Sequence, residues 1–172
     1  ETELVMDYLV KQWKGPAYLR LTRQNVPDLF PKDAIFKPGK LMQLKPGKQA
    51  ALLATGGTVG EAMKTAEALG QKGIDIAVWN VHCLKPFDSE TLLEIARNTR
   101  LIVTSEDHTV IGGLGSCVAE ALAESGSGAK LMRLGVQDDF GESAEGYELY
   151  EKHGISASKM AESIERKLKE KP

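Results

Sequence analysis

The chain has 172 residues, 42% hydrophobic and 27% charged, with 22 basic against 24 acidic side chains and a formal net charge of −2. These are the proportions of an ordinary globular domain and exclude a disordered chain. They also leave no cationic excess of the kind that binding to nucleic acid or to an anionic bilayer needs, so neither is expected as a partner. No apolar run approaches the roughly 18 residues of a membrane span, no signal segment opens the sequence, and a cytoplasmic location is expected. Cys83 and Cys117 stand 34 residues apart in apolar runs, match no metal spacing, and are expected as reduced structural thiols. The sequence starts at Glu1 without an initiator methionine and enters a helix at once, so a piece of a longer chain is expected.

The first helix is marked by Leu4, Val5, Tyr8, Leu9 and Trp13 at helical spacing, and Gly15-Pro16 stops it. Ala17 to Thr22 alternates as a short strand would. Between Val26 and Lys48 come Pro27, Pro31, Pro38 and Pro46, four of the chain's seven prolines. Such a stretch predicts a connector with at most an edge strand at Lys40 to Leu44, and a boundary between two units.

Beyond it, strands and helices alternate. Strands are predicted at Ala50 to Ala54, Asp75 to Val81, Leu101 to Ser105 and Leu131 to Val136. Helices are predicted at Val59 to Leu69, Ser89 to Asn98 behind an Asp88 cap, Leu114 to Glu124 and Ser158 to Lys169. This order predicts an α/β fold in three layers, a mostly parallel sheet of about five strands with helices on both faces. Function in such folds gathers at the carboxyl ends of the strands. Here those ends are Thr55-Gly56-Gly57, His82-Cys83, Glu106-Asp107-His108 and Gln137-Asp138-Asp139.

Three features carry chemistry. The turn Ala54-Thr55-Gly56-Gly57-Thr58-Val59-Gly60 leads into a helix N-terminus, where free amides can hold an anion. It is not the dinucleotide fingerprint, because Ala54 stands where the first glycine belongs, so a tight turn is the plainer reading. A second glycine turn, Gly112-Gly113-Leu114-Gly115, follows Glu106-Asp107-His108. Two carboxylates and an imidazole there could transfer protons or hold a metal, against duty in a turn or interface. The third is Leu21-Thr22-Arg23-Gln24-Asn25 with Arg20 before it. Strand alternation sets Arg20 and Thr22 on one face, and Leu19, Leu21 and Arg23 on the other. A guanidinium placed among leucines at a strand end can grip a phosphate or carboxylate with two parallel hydrogen bonds, or form an ion pair within the fold. No nucleophile elbow, His-Glu-x-x-His or paired Cys-x-x-Cys occurs, so independent hydrolase, zincin or redox chemistry has no support. His82, His108 and His153 are far apart in sequence.

These residues fall in a known order. Gly15-Pro16-Ala17-Tyr18-Leu19-Arg20-Leu21-Thr22-Arg23-Gln24-Asn25 resembles the end of the pyrimidine-binding domain of transketolases, with Thr22 in place of the more usual serine. Leu53-Ala54-Thr55-Gly56, Leu84-Lys85-Pro86-Phe87-Asp88, Glu106-Asp107-His108 with Gly112 to Gly115, and Phe140-Gly141-Glu142-Ser143 are similar to the transketolase C-terminal domain. The form is nearest the animal-type or split two-subunit members.

The resemblance implies three parts: residues 1–25 as the tail of the pyrimidine domain, 26–48 as a linker, and 49–172 as the C-terminal domain. It implies two-carbon ketol transfer between sugar phosphates by a complete enzyme that carries thiamine diphosphate and Mg²⁺. It also implies partners: the remaining domains or an N-terminal subunit, and a homodimer of the whole. The Gly-Asp-Gly…Asn-Asn signature that holds the cofactor's pyrophosphate is missing from the sequence, so this chain alone is expected to bind no cofactor and to be inactive. No catalytic or metal-binding residue is assigned to it. Arg23 matches the arginine that holds the substrate phosphate, and Arg20 aligns with an arginine of deoxyxylulose-phosphate synthases. The turns at Gly56, Gly57, Gly112 and Gly113 remain as anion or regulatory candidates. Deoxyxylulose-phosphate synthase and the β subunit of a 2-oxo acid dehydrogenase stay open as alternatives, although the synthase usually shows Tyr-Pro-Arg-Gly where this chain has Thr22-Arg23-Gln24-Asn25. A non-enzymatic nucleotide- or phosphate-binding module is the third.

Overall fold

A computed structural model describes residues 1–22, 25–30 and 35–170. Its centre is β2 (Ala50–Ala54), five apolar residues buried without exception, which demands cover on both faces. Helices supply it. Ala50, Leu52 and Ala54 point to one side, where α2 (Thr58–Gln71) and α6 (Ala157–Lys169) bring Val59, Ala62, Ala66, Leu69, Met160 and Ile164. Ala51 and Leu53 point to the other, against Leu92 and Ile95 of α3 (Ser89–Asn98) and Leu114, Val118 and Leu122 of α4 (Leu114–Ser125). Leu52 and Leu53 are wholly buried, and each such leucine contributes about 1.5–3 kcal/mol of transfer free energy.

The sheet has five strands in the order β1-β3-β2-β4-β5, with β1 (Met42–Lys45), β3 (Ile76–Asn80), β4 (Ile102–Thr109) and β5 (Leu131–Val136) around β2. All neighbours run parallel except β1, an antiparallel edge strand on β3. The three-layer α/β architecture is therefore the expected one. Strand order reverses between β2 and β4: the chain leaves β2 for β3 on one side, then crosses back to β4 on the other. A crevice opens where order reverses in such sheets, at the carboxyl ends.

Three elements depart from expectation. Ala17 to Thr22 forms no strand; Tyr18 is 90% and Leu21 58% exposed, and among the described residues no strand pairs with Ala17 to Leu21 to complete a ladder. β4 continues to Thr109, past its expected end at Ser105, with a register shift against β5 between Ser105 and Thr109. A seven-residue helix, α5 (Gly146–Lys152), was not expected, since a single buried residue, Tyr150, leaves no periodic apolar signal. The first helix, α1 (Thr2–Lys11), has no buried residue. It rests on edge contacts: Tyr8 against Phe36, Phe36 against His82, and Glu1 Oε1 accepting from Asn80 Nδ2 at 2.7 Å.

Candidate functional site

The crevice between the ends of β2 and β4 is filled by the chain's own side chains. Thr58 Oγ1 lies 2.9 Å from both the Thr55 and the Ser105 carbonyls, so one hydroxyl straddles the two strand ends. Above it sits Tyr150 of α5, 8% exposed. A methyl group at Gly57 would lie 2.5 Å from the Tyr150 hydroxyl, so the glycine is what lets the ring seat on the turn. That hydroxyl donates to Asp107 Oδ2 at 3.3 Å. Burial first, then the Asp107 carboxylate, push its pKa above the ordinary phenol range. The Asp107 carbonyl in turn accepts from Arg20 Nη1 and Nη2 at 3.4 and 3.3 Å. Turn, strand end, helix and N-terminal segment thus meet at one point.

Glu106, 1% exposed, serves the fold. Its Oε2 accepts from the Leu114 amide at 2.7 Å and its Oε1 from Gly115 at 2.8 Å, satisfying two orphan donors at the positive end of α4. Gly113 makes room, since a methyl there would fall 1.9 Å from Oε2. The Gly112 amide donates to Ser116 Oγ at 2.8 Å. The amides of Gly112, Leu114 and Gly115 are therefore committed within the chain. His108 is solvent-exposed, 3.8 Å from Glu106. Among the described residues, no group of three or more His, Cys, Asp or Glu could hold a metal. Glu106 of the Glu106-Asp107-His108 run thus caps α4, the turn duty weighed for it beside a metal or proton-transfer site.

The remaining candidates scatter. His82 lies 3.1 Å from the Lys37 carbonyl through Nε2, and His153 lies 3.9 Å from Glu142, so the three histidines have separate neighbours. Cys83 and Cys117 are free and half-buried; burial, then Glu120 and Glu106, push the Cys117 thiol up, away from nucleophilic use. Arg23 lies outside the described residues, whereas Arg20 is described. Sequence reasoning missed Tyr150. For Tyr150 no local pattern announced the helix that carries it.

A family model described as the transketolase C-terminal domain matches residues 39–160. The chain belongs to that family. Its relatives include a 6-deoxy-6-sulfo-D-fructose transketolase subunit of a Clostridium species, 42% identical over 85% of this chain and 45% of its own. A 1-deoxy-D-xylulose-5-phosphate synthase of Geobacter metallireducens is 39% identical over 83% of this chain and 23% of its own. Among solved structures, one described as a split-gene transketolase, an inactive beta4 tetramer, shares 39% identity. It superposes with a TM-score of 0.90 over 97% of this chain and 54% of that one. The chain spans about half the length of the transketolase relatives it matches.

Membership makes thiamine diphosphate the cofactor to test against these residues, and they do not fit it. The crevice where the fold would take a ligand is filled by Tyr150, and the α4 amides are taken by Glu106.

Proposed function

We propose that this chain is the C-terminal portion of a transketolase, active only with the domains or subunit that complete it. The order of parts proposed for it is a pyrimidine-domain tail at 1–25, a linker at 26–48 and a C-terminal domain at 49–172. The complete enzyme would move a two-carbon ketol unit from a ketose phosphate to an aldose phosphate, with thiamine diphosphate supplying the carbanion chemistry. This chain's share is packing, dimer contact and a grip on the substrate phosphate by Arg23. The reading is supported above all by the segment Thr22-Arg23-Gln24-Asn25, placed just ahead of the matched domain. The synthase relatives keep a second reading in play, decarboxylating transfer from a 2-oxo acid, against which that same segment speaks.

A phosphate handle is remote from the reacting carbon, and Arg23 would bind it alike in ground and transition states. Its loss should therefore appear in KM. A hydrogen bond to a charged group is worth roughly 1.5–3 kcal/mol, so Arg23→Ala in the complete enzyme should lower kcat/KM for phosphorylated sugars about 10- to 150-fold. Arg23→Lys should recover part, since an ammonium keeps charge but loses the two-pronged geometry. Glycolaldehyde, with no phosphate, should be unaffected. Equal damage to both substrate types would make Arg23 a residue of the fold.

A further inference from the structure

His82 lies just past the end of β3, and its side chain is only 4% exposed. Parts of the chain distant in sequence meet on its ring. Nε2 lies 3.1 Å from the Lys37 carbonyl, and the Phe36 ring packs against the imidazole with centroids 4.8 Å apart. Nδ1 faces Glu1 Oε1, at the start of α1, at 3.4 Å. A second tie runs beside it, since the same Glu1 oxygen accepts from Asn80 Nδ2. α1 buries no residue of its own, and a helix of ten residues is marginal alone in water, so its seat depends on such contacts.

Both polar neighbours of the ring accept hydrogen bonds. A carbonyl can only accept, so Nε2 must carry a proton, and an ionised carboxylate can only accept as well. Neutral imidazole has one N–H and cannot serve both. Neutral His82 with its proton on Nε2 therefore turns a lone pair toward the Glu1 oxygen, and the buried Nδ1 has no hydrogen-bond partner among the described residues. The imidazolium has a donor for each neighbour.

We propose that His82 is a proton-dependent clasp: the imidazolium ties α1, through Glu1, and the Phe36-Lys37 segment to the end of β3, and loss of its proton releases the Glu1 arm. Free histidine changes charge between about pH 5 and 8, so the clasp closes as pH falls through that range and loosens as pH rises. The other charged or titratable groups around the ring are Lys37 and Lys40 beside it, Asp7 of α1, Cys83 next in the chain, and the α-amino group of Glu1. Free lysine and aspartate keep their charge between about pH 5.5 and 7.5, and free cysteine stays mainly neutral. A free α-amino group sheds charge toward the top of that range, but a positive charge at a helix N-terminus is unfavourable, so its effect has the opposite sign.

Hydrogen exchange of the Met6 to Val10 amides, expressed as protection factors so that the intrinsic pH dependence cancels, reads the clasp in the 172-residue chain. Protection should fall roughly three- to tenfold from about pH 5.5 to 7.5, the scale of one partly exposed charge-assisted contact. Glu1→Gln keeps an oxygen for Asn80 and keeps the α-amino group, but has no charge, and should flatten that dependence. His108→Gln and His153→Gln should leave it intact, since those rings neighbour Glu106 and Glu142 instead. Long-range ¹H–¹⁵N spectra of the His82 ring should show both nitrogens protonated at the acid end and, in the neutral ring, the proton on Nε2. Protection that does not change with pH in the natural chain overturns the clasp. So does a dependence that Glu1→Gln leaves intact, or a neutral ring with its proton on Nδ1.

Discussion

Replacing Glu106 should unfold the protein before it alters any chemistry. The side chain is 1% exposed and accepts two amide hydrogen bonds, at 2.7 and 2.8 Å, at the start of α4. Each bond to a charged acceptor is worth about 1.5–3 kcal/mol, and an amide left buried without a partner costs about 1–3. The helix dipole adds to the loss, while relief from holding a carboxylate away from water offsets part of it. The net for Glu106→Ala is about 3–5 kcal/mol. Glu106→Gln keeps one acceptor oxygen but turns an NH₂ toward the second amide, and should cost about 2–3 kcal/mol. In a chain of this length, that is a fall in melting temperature of roughly 4–12 °C for Gln and more for Ala. Guanidinium titration should show the midpoint moving with the slope m unchanged, and the Leu114 and Gly115 amides should exchange faster. A Gln variant of unaltered midpoint would refute the cap. So would an enzyme that lost turnover while keeping its full stability, since that would return Glu106 to the proton-transfer role.

Asp88 caps α3 and accepts from the Thr91 hydroxyl at 2.7 Å, the Leu41 amide at 3.0 Å and Lys40 at 3.1 Å. Burial works to raise its pKa, but the Thr91, Leu41 and Lys40 bonds outweigh it and hold the carboxyl below the usual aspartate value. A lowered folded value means a stabilisation that is complete above the unfolded pKa and lost as pH falls through the folded one. Acid titration of stability below about pH 4 should therefore be steeper for the natural chain than for Asp88→Asn. Gly57→Ala sets a methyl 2.5 Å from the Tyr150 hydroxyl, and should displace α5 and cost roughly 1–3 kcal/mol by thermal melting; an unshifted melt would mean that Tyr150 does not rest on the turn. The amides of Tyr18 to Leu21 should exchange faster than those of Leu101 to Val103. Equal protection would contradict the boundary proposed at 26–48.

The central unit was legible because its signals are periodic and local. A run of small and branched apolar residues at Ala50 to Ala54 has no place except a strand covered on both faces, and Asp88 marks the start of a helix by its own side chain. What escaped was set by distant partners. The strand expected at Ala17 to Thr22 needs a neighbour, and alternation alone cannot provide one. Glu106-Asp107-His108 leaves a proton-transfer or metal site open beside turn duty in sequence, because nothing local shows that the Glu106 oxygens are spent on amides eight and nine residues on. Tyr150 gained its place from Gly57 and Asp107, contacts of long sequence separation that no window around Tyr150 contains. Arg23 was named from its neighbours in the chain, and its role is a matter for kinetics.

The most direct measurement follows the carbon in the complete enzyme containing this chain. It is incubated with thiamine diphosphate and Mg²⁺, once with a ketose phosphate donor and an aldose phosphate acceptor, and once with pyruvate and glyceraldehyde 3-phosphate. Transfer of two carbons in the first mixture, with no carbon dioxide from the second, is the result predicted here. Carbon dioxide released from pyruvate, with no ketol transfer from the sugar phosphate, would contradict it and assign the chain to the synthase branch.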